Sequence, residues 1–175
     1  MPQVTFNECG REVELFAATV LRTHHPDLAD AGVEIQYAFA YCDDGWPLTT
    51  RGQRVAARVK IVTLEDRARG GPDAKITIDK GWWDDHSEAE RVALLDHEHT
   101  HLLLKKPRRT EKGELKFDVD AHNRPKLAMK KHDLEIGIFF EVITRHQTRA
   151  VDFQVVVKAV KAVKPLIQRE FDWGA

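Results

Sequence analysis

With 175 residues, 42% of them hydrophobic, the chain can build one compact domain with a real core, and two full domains would be crowded. A formal net charge of −1 excludes a polyelectrolyte acting through bulk charge, so any contact with nucleic acid has to come from a local patch. Two cysteines, Cys9 and Cys42, are too few for a disulfide scaffold and lack metal-site spacing; with no signal-like apolar core and no apolar run of about 20 residues, a soluble cytoplasmic protein with no membrane partner is expected.

In chain order, Val13, Phe16, Ala17, Val20 and Leu21 recur at helical spacing, which predicts a helix over residues 11–23 that stops near Pro26. Val33, Ile35, Tyr37, Phe39 and Tyr41 alternate with smaller or polar residues, the two-residue period of a strand with one buried face. After a loop at Asp43, Asp44, Gly45 and Pro47, a second strand follows at Val55, Ala57, Val59 and Ile61. A third runs from Ala74 to Asp79, with Ile76 and Ile78 inward and Lys75, Thr77 and Asp79 outward. Together these strands predict a small sheet open to solvent on one side.

Ser87 followed by Glu90 is a capping-box pattern, so a helix is expected from there to about Leu104. Beyond it the basic stretch from Lys105 is interrupted by Pro107 and Gly113. Short strands are expected at Leu115, Phe117 and Val119 and at Leu127 and Met129. Asp133 caps a predicted helix through Phe139, Phe140, Val142 and Ile143, and a last helix is expected over about 151–168. The fold class expected is α+β: a single domain over residues 1–175 with a core at about 33–146, in which an N-terminal helix, an active-site helix and C-terminal helices accompany a mostly antiparallel sheet.

His97, Glu98 and His101 spell HExxH on the capped helix. Positions four apart lie about 40° apart around a helix, so both imidazoles can reach one ion. A catalytic zinc takes three protein ligands and keeps one position for water, and Glu98 stands beside the ligand stripe where it can take that water's proton and pass it to a leaving amine. His99 points the other way, about 160° from His101 and within the stripe of Val92, Leu95, Leu102 and Leu103. It reads as a buried neutral histidine bonded to backbone or to a carboxylate. The third ligand has to come from downstream, from Asp118, Asp120, His122, His132, Asp133, Glu135 or Glu141. His132, in KKHDLE just before a helix start, is the choice because a side chain is held firmly there; His122, in the looser AHNRP, is the runner-up.

The strand ITID, the helix LLDHEHTHLL, and PKLAMKKHDLE leading into IGIFFEVITRH resemble the phage metallopeptidase family, which is similar in outline to the minimal zincins, including the SprT-like proteases. The resemblance covers about residues 33–146. It implies a zincin-like fold, a zinc-dependent peptidase acting on a protein or peptide in a bacterial host cell, His97 and His101 as metal ligands, Glu98 as the base, and His132 as the third ligand. In a zincin the strand before the active helix lies along the cleft and pairs with an extended substrate. Here that strand is expected to be Ala74 to Asp79, with Trp82 and Trp83 beside it, one packed and one partly exposed. Two rival functions stand beside hydrolysis. In one, the metal only stabilises a nucleic-acid module that binds through Lys105 to Lys131, where ten Lys or Arg face four Asp or Glu. In the other, the final helix docks a protein partner.

Overall fold

The computed structural model describes residues 3–43, 46–50, 52–131, 157 and 161. Met1–Lys131 forms one compact unit; beyond it, Val157 and Lys161 are each in helical conformation. The elements run β1 (Val4–Glu8), α1 (Arg11–His24), α2 (Pro26–Asp30), β2 (Ile35–Cys42), β3 (Thr49–Thr50), β4 (Gln53–Arg54), β5 (Ala57–Ile61), α3 (Leu64–Ala68), β6 (Ala74–Asp79), α4 (Lys80–Asp85), α5 (Glu88–Thr100), β7 (Leu102–Leu104), β8 (Arg108–Arg109), β9 (Leu115–Lys116) and β10 (Leu127–Met129). The class is α+β. The two C-terminal helices expected from sequence lie outside the described residues, apart from Val157 and Lys161.

Four strands form the main sheet in the order β1-β2-β6-β5. β1 pairs antiparallel with β2, β2 parallel with β6, and β6 antiparallel with β5. This corrects the expectation that Ala74 to Asp79 borders the cleft. β6 has a neighbour on both sides, and β5 holds the edge. Ile76 and Ile78 are fully buried on the face that α1 and α5 cover, a burial worth roughly 1.5–3 kcal/mol per side chain. Val13, Ala17 and Val20 of α1 and Leu95 of α5 meet them in one core. Trp83 is buried and packs against Phe16 and Phe39 at centroid distances of 6.4 and 5.9 Å, whereas Trp82 is half-buried and stacks on His86. One tryptophan is packed and one partly exposed, as expected.

Asp79 departs from its expected outward, solvated position. It is 1% exposed, caps α4 by accepting from Trp82 N–H, and is paired by Arg54, whose Nε donates to it at 2.9 Å. Burial of a carboxylate is tolerable only with such partners, and Arg54 lies too far along the chain to be read as one from local pattern.

Ser87 and Glu90 form the capping box, with the Glu90 carboxylate accepting Ser87 N–H at 2.9 Å. The helix it starts is shorter than expected: α5 stops at Thr100, His101 is its C-cap, and Leu102–Leu104 is a strand. β7 pairs antiparallel with β10, so Leu102 and Leu104 are buried and Leu103 is exposed, the alternation of a strand rather than the stripe of a helix. α1 ends at His24 as expected near Pro26, and Pro26 itself opens α2, where its fixed φ and missing N–H suit a first helical position.

Candidate metal centre

The last turn of α5 places His97 and His101 side by side with their Nε2 atoms 3.3 Å apart and their rings in an edge-to-face arrangement. A tetrahedral ion with metal–nitrogen bonds of about 2.0–2.1 Å spans roughly 3.3–3.4 Å between two nitrogen ligands, so the separation fits a common cation. The tautomer fits as well. His101 Nδ1 lies 2.8 Å from the Lys130 carbonyl oxygen, which only accepts. Neutral His101 therefore carries its proton on Nδ1 and turns the Nε2 lone pair toward His97, the outer-shell arrangement that orients a ligand imidazole. Lys130 is held for this by its own N–H, which donates to the His101 carbonyl at 2.8 Å in continuation of the β7 and β10 pairing.

Glu98, between the two histidines in sequence, is 5% exposed. Burial raises its carboxyl to about 7, against the opposing pull of His101 and of a hydrogen bond from Val59 N–H. That last contact follows from the edge position of β5. Val62 N–H and Ala56 C=O bond to β6, so by alternation the N–H of Val59 faces off the free edge, where Glu98 accepts it. Sequence reasoning missed both Val59 and Lys130, because each acts through its backbone and leaves no side-chain signature.

His99 is fully buried, as its position on the wheel requires, and its partner is Tyr37 of β2, whose hydroxyl lies 2.8 Å from His99 Nε2. His25 packs edge-on at 5.6 Å and is itself bonded to Asp96 at 2.7 Å. Burial lowers His99 to about 4, so it is neutral at ordinary pH. Because the folded value lies below 6.5, stability is present in full above pH 6.5 and is lost as the pH falls from there toward 4. His99 Nδ1 has no hydrogen-bond partner among the described residues, so the Tyr37 hydroxyl is what compensates this ring. Tyr37→Phe is expected to destabilise the protein by about 1–3 kcal/mol, read as a lower denaturant midpoint with unchanged slope.

Among the described residues no third His, Cys, Asp or Glu gathers with His97 and His101. The runner-up His122 is therefore not brought to them: it sits in an exposed turn where its N–H donates to Asp120. Asp118 instead faces Lys106, and Asp120 faces Arg67. His132, Asp133, Glu135 and Glu141 lie outside the described residues. The basic stretch from Lys105 to Lys131 is broken up in space. Arg109 is paired with Asp27 and Asp30, and Arg124 with Glu34 and Asp73, so part of its charge is spent inside the fold.

These features define an α+β protein whose two HExxH histidines lie side by side at the end of a capped helix. A family model described as "Putative phage metallopeptidase" matches residues 5–164, and the chain belongs to that family. Neither a curated protein nor a solved structure matches the chain. The family implies a metal cofactor and a protein or peptide substrate. No helix among the described residues is long and apolar enough to cross a membrane.

Proposed function

We infer that the protein is a zinc metallopeptidase of zincin-like architecture, with His97, His101 and His132 as ligands and Glu98 as the base. The observation that carries this reading is the 3.3 Å separation of two imidazole nitrogens beside a buried carboxyl raised to about 7. Zinc held there supplies Lewis-acid polarisation of the substrate carbonyl and acidifies a water. The chain's own residues do the rest. Glu98 takes a proton from the attacking water as its oxygen bonds to the carbonyl carbon, and delivers that proton to the amine nitrogen as the C–N bond breaks. A carboxyl group held beside the water can both accept that proton and return it. Val59 N–H holds the carboxylate from one side, and the Lys130 carbonyl keeps His101 in the liganding tautomer.

Metal analysis tests the ligand set. Wild-type protein is expected to hold one zinc per chain, while His97→Ala and His132→Ala are each expected to lose most of it, with circular dichroism checking the fold. Metal content in His132→Ala equal to the wild type sinks the third-ligand assignment and shifts the search to Asp133, Glu135 and Glu141. Unchanged zinc in His97→Ala sinks the site itself.

A further inference from the structure

The face of the main sheet turned away from α1 and α5 carries cations that pair with nothing among the described residues. Lys60 of β5 lies directly across from Lys75 of β6, and Arg58 lies across from Thr77, in the antiparallel register. All three cations are exposed, alternating with the buried Val59, Ala74 and Ile76 that face the helices. Among the described residues none of the three forms an ion pair or a side-chain hydrogen bond. Other cations of the same unit are matched, Arg54 with Asp79, Arg69 with Glu65 and Lys80 with Asp84, and what sets these three apart is that they share one face of two paired strands. Like charges directly opposite on neighbouring strands are destabilising. Lys60 and Lys75 therefore weaken the sheet they stand on, in a chain whose net charge is only −1.

The same face carries an aromatic ring. Phe6 of β1 is 59% exposed and pairs with Ala40 of β2, which registers with Asp79 of β6. Between Phe6 and the cations the face holds Ala38 and Thr77, in register across β2 and β6; Glu8 of β1, directly across from Ala38, adds one exposed carboxylate to the same face, and Asp79 in the row of Phe6 is buried and paired with Arg54. Three cations along one side, set against the carboxylate of Glu8, and an exposed ring on the other side suit a chain that bears phosphates and offers unpaired rings to stack. Stacking on an exposed aromatic is open to the splayed bases of a single strand and closed to the paired bases of a duplex. An acidic peptide matches the cations but leaves Phe6 unused.

We propose that this face of β5, β6, β2 and β1 binds single-stranded nucleic acid, with Arg58, Lys60 and Lys75 on phosphates and Phe6 stacked on a base. The surface is on the opposite side of the sheet from α5, which carries the HExxH residues, and it stands or falls independently of hydrolysis.

Fluorescence anisotropy of labelled oligothymidylate and oligouridylate with the full chain tests it, and the two oligonucleotides distinguish a DNA from an RNA ligand. Binding is expected at low ionic strength, with log K falling against log salt at a slope of about −2, from roughly 0.7 per phosphate over three contacts. The triple variant Arg58→Gln, Lys60→Gln, Lys75→Gln is expected to bind about tenfold more weakly or worse and to flatten that slope. It should melt no lower than the wild type, because an opposed like-charge pair has been removed. Phe6→Ala should weaken binding by about fivefold or more, whereas Arg108→Gln with Lys116→Gln on the β8 and β9 hairpin should leave it unchanged. Four results overturn the proposal: no anisotropy change with either oligonucleotide at low salt, wild-type affinity in the triple variant, wild-type affinity in Phe6→Ala, or displacement of the oligonucleotide by polyglutamate as readily as by unlabelled strand.

Discussion

Glu98→Gln is expected to keep the metal content of the wild type and to slow peptide-bond hydrolysis by roughly 10²- to 10⁴-fold, the usual contribution of a positioned general base. The substitution is nearly isosteric. The amide oxygen still accepts Val59 N–H, so the edge of β5 stays where it is. What is lost is the ability to hold a proton, and neither the attack of water nor the protonation of the leaving amine proceeds well without it. Stability should not fall. Burial lifts the Glu98 carboxyl to about 7, above its ordinary 4.5, so in the metal-free protein its ionisation opposes folding increasingly as the pH rises between those values. A neutral amide at this position escapes that penalty. A verified peptide cleavage, followed as kcat/KM alongside metal content by mass spectrometry, separates the outcomes. An unchanged rate with metal retained removes Glu98 as the base, whereas loss of metal means that the carboxylate belongs to the coordination and not to the proton transfer.

How much of this was legible in the sequence differs from element to element. α1, β2, β5 and β6 were readable because each carries a regular period of apolar residues, although in β2 these are only half-buried and Tyr41 is exposed, and the start of α5 was readable because Ser87 and Glu90 make a local, reciprocal cap. The end of α5 was not. Leu102, Leu103 and Leu104 fit a buried helix and a paired strand equally well, and what decides is β10, more than 20 residues further on. The strand order is a tertiary fact of the same kind: periodicity tells which face of Ala74 to Asp79 is buried but not whether one edge or both are paired. α2, α3 and α4 are too short to repeat a helical period, and β1 buries no alternating set of residues that could mark it as a strand. In the metal centre, the proximity of His97 and His101 follows from helical spacing alone, since the four-residue step survives even though His101 is already the C-cap. The partners that tune them do not follow. Tyr37 is 62 residues from His99, and Val59 and Lys130 contribute only main-chain atoms.

The second large effect is on stability, and it reaches the metal centre through the chain that carries Lys130. Arg67 of α3 is 5% exposed and is bound on three sides: by Asp73 at 2.5 Å, by Asp120 at 3.3 Å, and by the Pro125 carbonyl, which accepts from it at 2.9 Å. Asp73, 1% exposed, is also paired with Arg124 at 2.9 Å and accepts Glu34 N–H. Asp120 closes the turn at 120–124 by accepting the N–H groups of His122 and Arg124. One guanidinium thus joins α3, the entrances of β2 and β6, and the loop that leads into β10. Removing one member of such a buried set leaves the others charged and without partners. Arg67→Ala is therefore expected to cost about 3–5 kcal/mol, which for a chain of this size lowers the melting temperature by roughly 6–20 °C. The loosened element is β10, whose pairing with β7 positions the Lys130 carbonyl against His101 Nδ1. Metal affinity is accordingly expected to fall along with stability, although Arg67 is not a ligand, and loss of an outer-shell contact typically costs about 10- to 100-fold in affinity. Thermal melts of the metal-free protein and a competitive zinc titration below the melting range report the two effects separately. A melting temperature within a degree or two of the wild type contradicts the burial argument, and a large drop in stability with undiminished zinc affinity breaks the link from Arg67 through β10 to His101.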